Sequence, residues 1–474
     1  MEGNPARRGV AWTSLSAGAC ALLALGQIAV AARHLERADF GLMALVMLVI
    51  GFSEKLADAG LAGAVLHRQE ASRAELSSVF WLSVVVGLLL CAGVALGAPA
   101  FAALWGEPEL ASWLPLAGCV FVASGFGNVS SSLLRRELRY GVSGAIDAVS
   151  SALSFVIVVS LAIAGWGVVA LVAGLVAGAA AKSLLALVCA RDVFLPALHF
   201  RLAELAGWVD FGAWQMGERL VNFASWNVDR AVIGLALGTE ALGVYALAYQ
   251  LMIRPFQLVA GVAGRVVRPL LGRLQADRER VLDAFFTGLR LVALAVVPVY
   301  VGAFLLAELL VAVVYGPGSS DVAAIFRILC PLGVLYAVGN SDGALVVATG
   351  KARLTFVWSC AAALVHGLAV WVGAGFGLAG VATAIVLATV VLLIPAFYVR
   401  WLLIRMPVRP YLASLARPFL YGAVMGAAVR ALAIPLGGMQ ERIQLTLLVG
   451  VGAAIYAGLL WLRERPLLLS LRES

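Results

Sequence analysis

The sequence predicts an all-α polytopic membrane protein. About fourteen transmembrane helices are expected, twelve in two pseudo-symmetric six-helix lobes (a parallel repeat) around a central cavity and two more at the C-terminus. Three observations predict it. First, 63% of the 474 residues are apolar and 13% are charged, where soluble domains run at roughly 45–50% and 25%. Together with a mean hydropathy of +1.00, this excludes a water-soluble globular protein. Second, apolar runs near the roughly 20 residues that a membrane span requires fill almost the whole chain. Third, one sequence plan occurs twice.

The first lobe, 1–205, holds spans at 11–32, 40–66, 79–104, 113–134, 141–164 and 166–190. The second, 206–405, holds spans at 208–237, 242–270, 284–315, 322–348, 354–374 and 378–399; residues 406–474 add spans at 418–436 and 443–462. Arg7 and Arg8 before a run ending in Ala29-Val30-Ala31 imitate a secretory signal. That run exceeds the roughly 7–15 residues of a signal core, so it is read as span 1. With the N-terminus cytoplasmic, 23 of the 34 Lys and Arg fall on inside segments, while only Arg33, Arg37 and Arg442 fall outside. This bias follows the positive-inside rule and predicts that both termini are cytoplasmic. It also turns the net charge of +8 from a nucleic-acid signature into a topological one. The six cysteines, all in or at the ends of spans, have no metal or disulfide spacing and read as small apolar filler.

The repeat is visible at three places. Ala38-Asp39-Phe40-Gly41-Leu42-Met43-Ala44-Leu45 aligns with Glu240-Ala241-Leu242-Gly243-Val244-Tyr245-Ala246-Leu247 at an offset of 202, which also places Trp12 on Trp214. Ala59-Gly60-Leu61-Ala62-Gly63 aligns with Ala260-Gly261-Val262-Ala263-Gly264 at 201, and Ala164-Gly165-Trp166-Gly167 with Ala374-Gly375-Phe376-Gly377 at 210. A shift of six spans preserves orientation, so the pseudo-two-fold runs along the membrane normal. Two facing lobes of this kind form the body plan of an alternating-access transporter.

A charge near the bilayer centre costs roughly 2.5–3.5 kcal/mol even on lenient insertion scales, which makes intramembrane ionisable groups functional candidates. In span 7, Gln215, Glu218, Asn222, Ser225 and Asp229 recur at steps of three or four, with Arg219 and Arg230 beside them. One helical face is therefore hydrophilic along most of its length. Span 8 adds Gln250, Arg254 and Gln257, span 2 adds Glu54, Lys55 and Asp58, and span 1 carries a milder stripe of Thr13, Ser16 and Gln27. These are the first two helices of each repeat. Asp147, Lys182, Arg290 and Arg327 lie nearer helix ends, where long side chains can snorkel. On a purely structural reading Glu54 would neutralise Lys55, Glu218 Arg219, and Asp229 Arg230. Adjacent helical residues do not face one another, so each would need a partner on another helix. A continuous polar face requires water or a polar ligand opposite it.

Gly375-Phe376-Gly377-Leu378-Ala379-Gly380 fits the dinucleotide-binding GxGxxG pattern but sits in a hairpin between apolar spans with no strand before it. Those glycines, like Gly174 and Gly178, are expected to allow close helix packing. Asn128-Val129-Ser130, formally a glycosylation site, falls inside span 4. The four histidines are scattered, with no HExxH or paired-cysteine motif. A membrane enzyme such as a glycan polymerase or ligase would place acids, His or Arg on sizeable loops. Here the outside loops are short and nearly bare, with Glu107, Glu109, Glu240 and Asp321. A passive channel leaves two lobes with charged inner faces unexplained.

Nearly the whole chain resembles the Wzx-type polysaccharide and lipid-linked oligosaccharide flippases of bacteria. Within the multidrug/oligosaccharidyl-lipid/polysaccharide exporter superfamily it is similar to the WzxC-like branch. The resemblance rests on the order and spacing of Asp39-Phe40-Gly41, Asp58-Ala59-Gly60-Leu61, Ser78-Val79-Phe80-Trp81, Glu107-Pro108-Glu109-Leu110, Leu134-Arg135-Arg136-Glu137-Leu138, Gly165-Trp166-Gly167, Asp229-Arg230 with Ile233-Gly234, Gln250-Leu251-Met252, and Arg273-Leu274-Gln275-Ala276-Asp277. It implies movement of an undecaprenyl-pyrophosphate-linked oligosaccharide across the bacterial inner membrane, without enzymatic chemistry. On this reading Lys55, Arg219, Arg230 and Arg254 hold the diphosphate or acidic sugars, and Gln215, Asn222, Gln250 and Gln257 contact sugar hydroxyls. Glu54, Asp58, Glu218 and Asp229 balance charge or bind a coupling proton or sodium ion; no other cofactor or metal is expected. Expected partners are the lipid-linked oligosaccharide, membrane lipid and polysaccharide polymerase or export machinery, with no nucleic acid. The alternatives are a drug or metabolite antiporter of the same superfamily, which would want a net acidic pocket, and a lipid II flippase.

Overall fold

A computed structural model of the chain describes residues 5–57, 72–201, 212–273, 278–348 and 352–464. Every regular element among them is an α-helix: α1 (Pro5–Ala31), α2 (Arg37–Ala57), α3 (Arg73–Trp105), α4 (Leu110–Arg136), α5 (Tyr140–Ile163), α6 (Val168–Cys189) and α7 (Gly212–Arg273), then α8 (Arg278–Leu305), α9 (Ala307–Tyr315), α10 (Ser320–Ala348), α11 (Ala352–Ala374), α12 (Gly377–Ile404), α13 (Val408–Ala433) and α14 (Glu441–Arg463). Eleven described helices are long and apolar enough to cross a membrane, so the chain is a multi-pass membrane protein.

The fourteen expected spans map onto these helices with two differences. Spans 7 and 8 run on as the 62-residue α7, interrupted only at Gly238 (φ 82, ψ 177), a backbone conformation open to glycine alone. Span 9 is two pieces, because Leu306 (φ −102, ψ 18) leaves the helical region between α8 and α9. No glycine or proline marks that break, which is why the sequence reads as one run.

The chain divides into two compact units, Met1–Gly243 and Val244–Ser474. Within the first, α3 packs on α4, α5 on α6, and α4 on α6. Within the second, the helices six spans later pair the same way: α8 with α10, α11 with α12, and α10 with α12. The repeat read from sequence is thus a repeat of packing. The hairpins aligned at offset 210 also match, with left-handed glycines at Gly165 (φ 76) and Gly167 (φ 56) in one and Gly377 (φ 76) in the other.

Close glycine contacts hold the hairpins. A Cβ on Gly174 would lie 2.1 Å from Val158 Cγ2, and one on Gly380 would lie 2.4 Å from the Gly373 carbonyl oxygen. Of the three GxGxxG glycines only Gly380 meets the expectation of close packing; Gly375 makes one contact of 3.4 Å, and Gly377 has nothing within 4 Å of a new Cβ and instead supplies the positive φ of the turn. The start of α3 is set by a capping box in which Ser72 and Glu75 satisfy each other's backbone N–H groups. Buried Ser77 and Ser78 accept hydrogen bonds from the backbone N–H groups of Ala197 and Arg201, 3.1 Å each, and Trp81 Nε1 donates to the Ala197 carbonyl at 2.8 Å. The Ser78-Val79-Phe80-Trp81 stretch thereby pins the segment leaving α6 to α3. Arg139 pairs with Asp192 at 2.6 Å and holds its carboxyl below the usual carboxylate range.

Helices α13 and α14 lie outside the repeat. They pack on α8 and α9 through Leu294, Leu306, Tyr421, Met425, Val429, Leu448 and Tyr456, with Tyr456 donating to the Leu294 carbonyl at 2.9 Å.

Candidate functional site

Eight of the twelve residues singled out from sequence have described side chains: Glu54, Lys55, Asn222, Asp229 and Arg230 in the first unit, and Gln250, Arg254 and Gln257 in the second. Asp58 and the side chains of Gln215, Glu218 and Arg219 lie outside the described residues.

In the first unit the described part of the stripe on α7 comprises Asn222, Ser225 and Asp229. Asn222 is exposed, Ser225 is half-buried with its hydroxyl on the Val221 carbonyl, and Asp229 is buried at 6% exposure. Arg230 is tied both to Asp229 and to Asn227. Its backbone N–H donates to Asp229 Oδ1 at 2.8 Å, while Nη1 donates to Asn227 Oδ1 at 2.7 Å. Asn227 completes its bonding by donating Nδ2 to the Phe223 carbonyl at 2.8 Å. Asn227 escaped notice in the sequence because it stands off the three-and-four stripe, although its spacing of three from Arg230 is the signal for a same-face pair. Glu54, exposed, and Lys55, half-buried, lie 3.9 Å apart, which is the loose contact expected of sequence neighbours.

The other flank of α7 is apolar. A recess of about 280 Å³ is lined by Leu48, Phe52, Phe101, Trp105, Phe223 and Val228 among others, with Asn227 at its edge. Asn227 already spends one amide N–H and its oxygen on bonds within α7, so the recess is dominated by apolar side chains.

In the second unit Arg254 differs from Arg290 and Arg327, each of which meets a carboxylate. Its Nε, like that of Arg290, is buried without a hydrogen-bond partner, but among the described residues no carboxylate pairs with Arg254. A guanidinium carries five fixed donors and cannot deprotonate in a protein, and a buried unsatisfied donor in a native fold calls for a ligand or a functional reason. Gln250 and Gln257, one turn away on either side, are half-buried and exposed.

The backbone around Arg254 is opened by tyrosines. Pro255 removes one helical N–H. The Tyr300 hydroxyl of α8 accepts from the Phe256 N–H at 3.2 Å and donates to the Met252 carbonyl, so it bridges a hydrogen bond that the helix would otherwise close itself. Tyr315 of α9 donates to the Leu247 carbonyl at 3.0 Å. The break at Leu306 allows α9 to bring that second tyrosine in, a feature with no local sequence signal.

The charges noted near helix ends, Asp147, Lys182, Arg290 and Arg327, are each paired. Lys182 meets Asp147 at 2.8 Å and Arg327 meets Glu308 at 3.1 Å. Arg290 binds Glu464 through both carboxylate oxygens. Local spacing hides these partners because they come from other helices or from a helix end.

The sequence profile of the polysaccharide biosynthesis protein family matches residues 30–324. The chain is 26% identical to the teichuronic acid biosynthesis protein TuaB of Bacillus subtilis (strain 168), over 95% of this chain and 94% of the relative. It is 26% identical to the lipopolysaccharide biosynthesis protein WzxC of Escherichia coli (strain K12), over 91% and 88%. With the succinoglycan biosynthesis transport protein ExoT of Rhizobium meliloti (strain 1021) it shares 26% identity over 97% and 94%. Among solved structures, the lipid II flippase MurJ in an inward closed conformation has a TM-score of 0.77 at 14% identity, covering 96% of this chain and 99% of that one. An inward-facing multidrug resistance MATE family transporter of the MOP superfamily has a TM-score of 0.60 at 17% identity, over 86% and 95%. These two show the fold, that of a two-lobe transporter. Since the family profile spans well over half of the chain, the protein belongs to the polysaccharide biosynthesis protein family.

Proposed function

We propose that this protein is a flippase. It moves an undecaprenyl-pyrophosphate-linked oligosaccharide, the repeat unit of a surface polysaccharide, from the inner to the outer leaflet of the bacterial cytoplasmic membrane. It works by alternating access without covalent chemistry, with both termini in the cytoplasm. The observation that carries this is Arg254, a half-buried arginine whose buried Nε has no partner and which meets no carboxylate among the described residues, set between glutamines on an apolar helix. A phosphate oxygen is the acceptor its planar fork suits best.

Arg254, with Arg219, Arg230 and Lys55, would hold the diphosphate or acidic sugars. Gln215, Asn222, Gln250 and Gln257 would take sugar hydroxyls. Glu54, Asp58, Glu218 and Asp229 would balance those cations or carry a coupling proton or sodium ion. Relatives named for teichuronic acid, lipopolysaccharide and succinoglycan align over more than nine-tenths of the chain, which supports a glycan cargo and a working association with polymerase or export machinery. A drug antiporter shares the fold, but an unpaired arginine argues against an organic cation as cargo.

Deleting the gene is expected to cause lipid-linked oligosaccharide to accumulate and the surface glycan to be lost. A charge-assisted hydrogen bond is worth about 1.5–3 kcal/mol, so Arg254→Ala should lower export by about ten- to hundredfold at normal protein levels. Full export by both Arg254→Ala and Arg219→Ala would sink the cationic-site assignment. Intact surface glycan after deletion would sink the cargo assignment.

A further inference from the structure

Gly41 in α2 and Gly243 in α7, equivalent in the repeat, lie where two helices cross with no room for a side chain. A Cβ on Gly41 would sit 1.8 Å from the carbonyl oxygen of Thr239, and a Cβ on Gly243 would sit 1.8 Å from the carbonyl oxygen of Arg37. These are two halves of one self-complementary contact, because the offset of 202 that carries Gly41 to Gly243 also carries Arg37 to Thr239. In this contact each glycine faces the backbone carbonyl of the residue four positions before its counterpart. Its obstacles are backbone atoms, which no rotamer change can move aside. The same symmetry accounts for Gly238: it breaks α7 one residue before Thr239, as Glu36 stands one residue before the start of α2 at Arg37.

Polar and apolar contacts close around the crossing. Thr239 Oγ1 donates to Glu107 Oε1 at 2.8 Å, and Trp105 Nε1 donates to the Ala231 carbonyl at 3.4 Å. Gly234 leaves space for Leu45 and Trp105, which a Cβ there would meet at 2.8 and 3.2 Å. Asp39, between the crossing residues, accepts from the Glu36 N–H at 3.0 Å. The residues of the crossing belong to the ends of their spans that the charge pattern assigns to the outside of the membrane.

We propose that this glycine crossing is the outer gate of the transport cycle. Direct backbone contact seals the outer end of α2 against α7 just after its break at Gly238, and the two must part before cargo can leave toward the outer leaflet. Naming the cargo rests on the flippase reading; the gate itself does not. Only hydrogen fits at either position, so the contact is either made or broken. The Glu107–Thr239 hydrogen bond and the Trp105 indole latch the made state from the side and release it without rebuilding any helix.

In a cysteine-free background, Ser225→Cys places a thiol on the polar stripe of α7, about 20 Å inward of Gly238 along the helix. A membrane-impermeant maleimide added from outside is expected to label it faster by about tenfold in Gly41→Leu and Gly243→Leu, whose side chains hold the crossing open. Unchanged labelling in both would overturn the gate. If the leucine variants do not reach the membrane, Glu107→Cys/Thr239→Cys joined by a short bis-methanethiosulfonate linker tests the closed state. Movement of lipid-linked oligosaccharide in vesicles is then expected to drop by about tenfold and to recover on reduction, whereas undiminished movement of the linked protein would overturn the gate. Labelling that responds to Gly41→Leu in a protein that moves no lipid-linked oligosaccharide would uphold the gate and remove the cargo assignment.

Discussion

At the scale of single residues, partners sort the intramembrane charges into two kinds. Lys182, Arg290 and Arg327 each meet a carboxylate from elsewhere in their own unit, whereas Arg254 has a buried Nε with no partner and meets no carboxylate among the described residues. The sequence marked Arg254 because it stands in a stripe with Gln250 and Gln257, and a stripe is a local pattern. It could not mark Glu464, which lies beyond the last helix in a run of surface-like residues. Yet Glu464 is only 2% exposed, bound by Arg290, 3.8 Å from Arg417 and accepting from the Tyr421 hydroxyl at 3.1 Å. It ties the end of α14 to α8 and α13. Glu464→Gln removes the charge that balances two partly exposed guanidiniums, and is expected to destabilise the protein by about 1–3 kcal/mol, read as a lower midpoint of thermal unfolding in detergent. Arg417→Ala should cost less, because that side chain is 59% exposed and the pair is long. An unchanged midpoint for Glu464→Gln would refute a structural role for this cluster.

At the scale of helices, the sequence was read well where glycine or proline interrupts an apolar run and poorly where a distant side chain does. The break at Gly238 is legible as a short gap between two spans. The opened turn at Arg254 is half legible: Pro255 is visible, but the Tyr300 hydroxyl that bridges Met252 and Phe256 comes from 44 residues away. Tyr300 reaches that turn because Gly333 in α10 leaves a slot for its ring; a Cβ there would lie 2.1 Å from Tyr300 Cζ. The ring is 2% exposed and held by its hydroxyl, so it cannot swing away. Gly333→Ala is therefore expected to destabilise the protein by about 1–3 kcal/mol through overpacking. Gly302→Ala in α8, where nothing lies within 4 Å of the new Cβ, should be neutral or stabilising by up to about 1 kcal/mol, from helix propensity alone. Thermal unfolding of the two variants side by side checks this, and equal shifts would mean that the slot does not hold Tyr300.

At the scale of the whole molecule, composition, span count and repeat were legible because each is a sum over many residues, so boundary errors of a few positions do not change it. The split of span 9 at Leu306 leaves the parity of the chain intact, since α9 is only nine residues long and returns no segment across the membrane. The same parity orients the protein: two dozen or so cations on one side and three on the other make any odd change in span number conflict with the positive-inside bias. Single cysteines at Glu109, Glu240 and Asp321, all exposed, should therefore react with an impermeant maleimide added to intact cells. Cysteines at the exposed positions Arg191, Arg409 and Arg463 should react only after the membrane is opened. The six positions sample both repeats and the C-terminal hairpin, so one reversed position would locate a miscounted span between it and its neighbours. A reversal at Glu240 would carry the most weight. It would move the Gly41–Gly243 crossing to the inner face and turn the proposed outer gate into an inner one.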